Sequence, residues 1–336
     1  MKKIFLLSPT ILSLFFSVFT CSFLSSCETK KKPEAPSSQI ILGFSQIGNE
    51  SSWRMSNSAS IKKAAEEENI QLIYEEAQQK QENQIKALRR FIVCHVDVIA
   101  FVPIVEEGWD SVLKEAKQAG IPVIVVDRKI KTEEKDLYKC YVGQDGMEEG
   151  RKAARFLLEK YKDQKGPFNI IELYGTERSS PARERDAGFR EVLKDDRRFR
   201  IVYQESGDFL RSRGKEIISQ IIKFNGSLSV GKDKIDIIFS QNDAMTLGAI
   251  DSLEANGIKP GTDVTIVSVD GEQKAINALS QGKINCIIEC NPKSGPELMK
   301  LVKDAAQGKE LPKTTFIDET VFTENDNLIL IPPRGY

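Results

Sequence analysis

From Ile40 onward, short runs of apolar residues alternate with stretches in which apolar positions recur every three or four residues. The pattern predicts a strand at residues 40–45, a helix at 54–68, a strand at 71–75, a helix at 81–93, a strand at 96–101, a helix at 109–119 and a strand at 122–126. Gly120-Ile121-Pro122 punctuates the last pair, a glycine just past a helix end and a proline opening a strand. After Asp145 the series repeats, with helices at 148–161, 181–193, 211–223 and 244–256 alternating with strands at 169–173, 200–205, 236–240 and 264–269. Two such series predict an α/β protein of two lobes, each a parallel sheet covered by helices. A helix at 274–281, a strand at 285–289, a helix at 294–307 and a strand at 314–317 remain to complete either sheet. With 336 residues, 40% of them hydrophobic, the chain is long enough to bury both cores.

In open parallel sheets ligands lie beyond the carboxyl ends of the strands, so the residues just after each strand carry the chemistry. Here they are Glu50, Ser51, Ser52, Trp53 and Arg54 after the first strand, and Asp127-Arg128 after the fourth. In the second series they are Gly175-Thr176 with the following Arg183-Glu184-Arg185, then Gly207-Asp208-Phe209, Gln241-Asn242-Asp243 and Asp270-Gly271. Carboxylates, amides and guanidinium forks can pair with vicinal hydroxyls that donate and accept at once, and flat rings such as Trp53 and Phe209 stack on C–H faces. Each residue also has an ordinary reading. Asp127-Arg128 can be a capping pair, Trp53 can be core, and only one of Arg183 and Arg185 is expected to face inward. The charges of Lys62, Lys63, Glu66, Glu67 and Glu68 read as an exposed helix face.

Other chemistries find little support. The single histidine, His95, sits at a helix-to-strand junction with no serine or cysteine partner in view, and four scattered cysteines of the body form no metal-ligand spacing. No phosphate-binding glycine loop occurs, so neither metal nor cofactor is expected. Asp127 and Asp270 can be cast as a glycosidase pair, but one adjoins an arginine and the other a glycine turn, settings that favour ionised acceptors over a general acid. Cys286 and Cys290, four apart near one strand, are about 13 Å apart if extended and cannot bridge each other.

The segments Gly43-Phe44-Ser45-Gln46, Ser52-Trp53-Arg54, the run from Gln78 to Ala87, Val125-Val126-Asp127-Arg128, Ser206-Gly207-Asp208-Phe209, Asn242-Asp243, Ser268-Val269-Asp270-Gly271 and Gly335-Tyr336 stand in the order seen in one family. They resemble the periplasmic sugar-binding proteins of ABC transporters, in the ribose- and galactose-binding group with a LacI-like core, and most of all its galactofuranose-binding branch. The resemblance implies a periplasmic binding protein type I fold, two Rossmann-like lobes joined by a three-segment hinge. It implies lobes of residues 40–144 plus 291–318 and of 145–290 plus 319–336. By the same resemblance Glu50, Ser51, Ser52, Trp53, Arg54, Asp127, Arg128, Arg185, Asn242 and Asp270 match ligand-contacting positions, and Phe209 an aromatic wall. The implied function is capture of a monosaccharide by lobe closure, without catalysis, and delivery to a permease; presentation of the closed form to a signalling receptor is the alternative. Two departures bear on the sugar. Pro181-Ala182-Arg183-Glu184-Arg185 is closer to the ribose-binding version, and Glu289-Cys290-Asn291 lacks a glutamine that some relatives carry.

The chain begins with Lys2-Lys3 and an uncharged apolar stretch leading into Leu24-Ser25-Ser26-Cys27. This resembles a lipoprotein signal peptide at residues 1–26, with Cys27 as the lipidated residue; Cys21 is a weaker acceptor, and an uncleaved membrane anchor is the other reading. Either places the body outside the cytoplasm. Residues 27–39, charged and Pro/Ser-rich, read as a flexible tether. Without the first 26 residues 46 basic side chains face 49 acidic ones, a balance that gives no reason to expect a nucleic-acid partner. The expected body is a monomer that meets the membrane only through its anchor.

Overall fold

Parallel strands covered on both faces read as unbroken apolar runs, and the structure shows why in this chain. In the run Val98–Phe101 all four residues are buried. Val98 and Ala100 point into one apolar cluster and Ile99 and Phe101 into another on the opposite face. Val123–Val126 divides in the same way, Ile124 and Val126 to one side, Val123 and Val125 to the other. The computed structural model describes residues 39–336, so the expected signal peptide, Cys27 and nearly all of the tether lie outside the described residues.

In chain order the first elements are β1 (Ile41–Gln46), α1 (Ser52–Glu67), β2 (Gln71–Glu76), α2 (Gln81–Val93), β3 (Val98–Phe101), α3 (Asp110–Gln118), β4 (Val123–Val126) and β5 (Cys140–Gly143). Next come α4 (Gly146–Lys160), β6 (Phe168–Tyr174), α5 (Ser180–Leu193), β7 (Phe199–Ser206), α6 (Arg211–Asn225), the hairpin β8 (Ser229–Val230) and β9 (Asp233–Lys234), and β10 (Ile237–Ser240). The remaining elements are α7 (Asp243–Ala255), β11 (Thr265–Asp270), α8 (Gln273–Ser280), β12 (Cys286–Glu289), α9 (Gly295–Ala306), β13 (Thr314–Phe316) and β14 (Val321–Thr323).

Apart from the β8–β9 hairpin, these strands form two six-stranded sheets. The first runs β13-β5-β4-β3-β1-β2, parallel throughout. The second runs β14-β12-β11-β10-β6-β7, parallel except for β14, which lies antiparallel on β12. Both share the doubly wound order in which the winding direction reverses beside the first strand, at β1/β3 and at β6/β10, the place where such folds open a crevice. The chain passes between the sheets after β5, after β12 and after β13. Its late helix α9 packs with the first sheet, where Leu298, Met299, Leu301 and Val302 join the cluster containing Leu42, Val98 and Ile124.

Three features depart from the predicted elements. β5, the β8–β9 hairpin and β14 were not expected, because runs of two to four residues carry too few positions to show a period. Cys94, Cys140, Cys286 and Cys290 are free thiols, and all but Cys94 are buried. No described helix is long and apolar enough to cross a membrane.

Candidate functional site

At the carboxyl ends of the strands, residues from both sheets surround one pocket: Glu50, Ser51, Trp53, Arg54, Asp127 and Arg128 from the first, and Arg185, Phe209, Asn242, Asp270 and Cys290 from the second or the segment leaving it. Ten of the residues named from sequence therefore meet in one place. Ser52 is the correction. Its hydroxyl turns away from the pocket and donates to Glu272 at 2.7 Å. Cys290 was not singled out, although the missing glutamine at that position was its only signal.

The first sheet's wall is built on the start of α1 and the end of β4. Ser51 caps α1, its hydroxyl accepting from the Arg54 amide, and so fixes the helix that carries Trp53 and Arg54. The Arg54 guanidinium lies between two carboxylates, 2.9 Å from Glu50 and 2.7 Å from Asp127, and rests over the Trp53 ring at 4.7 Å. Burial disfavours the Glu50 charge, but Arg54 and Arg128 outweigh it and hold the carboxyl below its ordinary value. Burial likewise opposes charge on Arg54, and Asp127 and Glu50 more than restore it. Arg128 is pushed down to about 10 by burial and by Arg54, and stays charged at neutral pH. Asp127 itself sits at a left-handed φ of 62°, held there by the Tyr141 hydroxyl, which donates to its carbonyl at 2.8 Å.

Three atoms of this wall are buried without a hydrogen-bond partner: Arg54 Nη1, Arg128 Nε and Asp127 Oδ2. The Asp127 oxygen is close to Arg54 Nη2 but off the line of a hydrogen bond. Two donors thus lack a partner next to a carboxylate held by an ion pair alone.

The opposite wall is held by its own hydrogen bonds. Asn242 caps α7, accepting from the Met245 amide at 3.0 Å and donating to the Phe209 carbonyl at 3.1 Å, and lines the pocket as well. The Phe209 ring stands between two guanidinium groups, 5.5 Å from Arg128 and 5.9 Å from Arg185. Gly175 permits that placement, since a Cβ there would come within 2.1 Å of the ring. Arg185 is buried and grips Glu149 through Nε (2.7 Å) and Nη2 (3.2 Å) while Nη1 donates to the Gln241 carbonyl. Its neighbour Arg183 is 45% exposed and points to Glu106 across the cleft, as expected of one inward and one outward arginine.

Acids outnumber bases on this side. Asp243 accepts from the amides of Gly271 and Glu272, each at 2.7 Å, and from the Ser268 hydroxyl, bonds that favour its charge, while burial and Glu272 push its carboxyl up to about 8. Burial and the Asp243 charge push the Asp270 carboxyl well above the usual carboxylate range. Behind Arg185, burial and Glu149 push Glu319 up to about 11. Glu149, Cys290 and Glu319 bring metal-ligating atoms within 4.8 Å of one another, but Arg185 already supplies the cation at Glu149.

Two doubly wound sheets, three connecting segments and one polar pocket between strand ends define a two-lobed binding protein. Residues 42–310 match the periplasmic binding protein domain, and the chain belongs to that family. Within it the chain is close to galactofuranose-binding proteins. It is 38% identical to the galactofuranose-binding protein YtfQ of Escherichia coli (strain K12) over 84% of this chain and 87% of that one. A Mycobacterium smegmatis protein solved with β-D-fucofuranose superposes with a TM-score of 0.81 at 45% identity, covering 85% of this chain and 91% of its own. The periplasmic binding component of the arabinose ABC transporter from Shewanella sp. ANA-3, solved with α- and β-L-arabinofuranose, gives 0.79 at 39% identity, covering 84% and 92%. The Escherichia coli and Shewanella relatives are described as binding proteins.

Proposed function

We propose that the chain captures a monosaccharide, of galactofuranose type or close to it, and passes it to the permease of an ABC importer. The observation that carries the reading is the pair of unpartnered donors Arg54 Nη1 and Arg128 Nε beside the ion-paired Asp127 carboxylate. A buried polar atom left unpaired costs about 1–3 kcal/mol, and a ring bearing adjacent hydroxyls meets two donors and an acceptor at once. Trp53 and Phe209 supply flat surface for its C–H faces. The furanose preference is supported by the ring forms bound in the fucofuranose and arabinofuranose complexes.

In this reading one lobe comprises residues 40–144 plus 291–318 and the other 145–290 plus 319–336, and they open about the three connecting segments. The eleven residues named from sequence, Ser52 acting through Glu272, serve that capture. Lipid attachment at Cys27 would hold the body at the outer face of a membrane, beside its permease. Thermal unfolding of the purified protein with galactofuranose, D-galactose, L-arabinose or D-ribose tests the proposal. A sugar at 100 times its Kd adds about 2.7 kcal/mol of stability. That gain should appear with one of them and vanish in Asp127→Ala and Arg128→Ala; no stabilisation by any would turn the reading to another small polar ligand.

A further inference from the structure

The N-terminus of α1 is not finished by its own neighbours. Of its first free amides, that of Arg54 is taken by the Ser51 hydroxyl, while that of Trp53 donates to Glu272 Oε1 at 3.0 Å, a residue 219 positions away that follows β11 in the other sheet. The second oxygen of the same carboxylate takes the Ser52 hydroxyl at 2.7 Å. Glu272 is 2% exposed, and its own amide is fixed on Asp243. Trp53 reaches across as well. Its ring lies in the apolar cluster of the second sheet with Val269 and Ile288, and its Nε1–H donates to the Cys290 carbonyl.

Glu272 does not line the pocket, yet the helix it caps carries Ser51, Trp53 and Arg54, which do. A carboxylate at a helix N-terminus is favoured by the oriented amides, and the interaction is strongest where water is excluded. This one exists only while the two sheets are together, since parting them removes the acceptor from the Trp53 amide and leaves Glu272 facing water.

We propose that Glu272 is an affinity-setting positioning residue: it completes the cap of α1 from the opposite lobe, holds Trp53 and Arg54 in register with the pocket, and slows release without touching the ligand. The proposal rests on the closure described under the proposed function. Bonds of this kind act on the closed population whichever sugar is inside, so they shift the affinity for every ligand by one factor. The Arg183–Glu106 pair bridges the same cleft, but with Arg183 45% exposed it is a weak counterpart and serves as the control.

The test is calorimetric and stopped-flow binding of galactofuranose, D-galactose, L-arabinose and D-ribose to wild type, Glu272→Ala, Glu272→Gln and Arg183→Ala. Glu272→Ala should raise Kd by roughly ten- to a hundredfold, almost wholly through the dissociation rate, with the ratio between sugars unchanged. Glu272→Gln, which keeps an acceptor but not the charge, should fall between, and it replaces the alanine variant if that one does not fold. An unchanged Kd and dissociation rate overturns the proposal. So does a changed preference among sugars, which would make Glu272 a ligand contact. Should wild type bind none of the four, the binding reading fails, and small-angle scattering of the ligand-free proteins still decides the latch. A larger radius of gyration in Glu272→Ala supports it, and equal radii overturn it.

Discussion

The two walls of the pocket solve the same problem with opposite charge arithmetic. On the first sheet's side Glu50 and Asp127 are matched by Arg54 and Arg128, so four buried charges neutralise one another and each carboxylate keeps a cation at hand. On the second sheet's side Arg185 is the buried cation among Glu149, Glu319, Asp243 and Asp270, with Lys152 acting on Glu319 from the margin. Such an excess of acids is tolerated where protons take the place of missing cations, and burial with like charge raises the carboxyls of Asp270, Asp243 and Glu319. Equivalent positions after equivalent strands thus carry different physics. The first wall presents fixed, paired charge, and the second presents carboxyls raised by burial and by one another.

The largest way to break this contrast is to remove the buried cation. Arg185→Ala leaves Glu149 buried without a partner and should cost about 3–5 kcal/mol of folding stability, read from urea unfolding. A loss below about 1 kcal/mol would mean that the acids of the second wall do not depend on it. A smaller effect separates the two aspartates. Asp127→Asn removes a charge that Arg54 uses and should lower stability by about 1–3 kcal/mol and weaken sugar binding at least about tenfold. Asp270→Asn replaces a carboxyl that already holds its proton and should stay within about 1 kcal/mol of wild type in the same unfolding assay. Equal losses for the pair would erase the distinction.

The smallest effect is a slope. Glu50, held below its ordinary value, contributes stability that is present above the ordinary carboxylate range and disappears as the pH falls through its folded pKa. Glu319 runs the other way. Its contribution is complete below the ordinary carboxylate value and is lost as the pH rises towards its folded value of about 11. Unfolding free energies measured across pH should therefore fall at both ends. Glu50→Gln should soften the acid side and Glu319→Gln the alkaline side, each by at most about 1.4 kcal/mol per pH unit. An exchange of these two roles would invert the comparison.

Most of the architecture was legible because parallel strands buried on both faces leave long apolar runs, and because the residues after those runs need not pack. Asp127, Arg128, Phe209 and Asp270 were visible for that reason. Ser52 was misread because its neighbours in sequence line the pocket, while its hydroxyl is claimed by Glu272, a residue that local pattern cannot bring near. Glu272 itself was hidden one position past a glycine turn, where a glutamate looks like any solvated charge. Cys290 escaped because an apolar thiol in a polar site carries no chemical signal of its own. The short strands β5 and β14 acquire their shape from the neighbours they pair with, Cys140–Gly143 from β4 and β13, and Val321–Thr323 from β12.

The late return of α9 and β13 to the first sheet sets an order on how the molecule can be made. Residues from α4 to β12 run without interruption and supply five adjacent strands of one core, so that portion has its neighbours at hand as soon as it leaves the ribosome. The portion made first must keep the face that will receive Leu298, Met299 and Val302 uncovered until nearly the whole polypeptide has been synthesised.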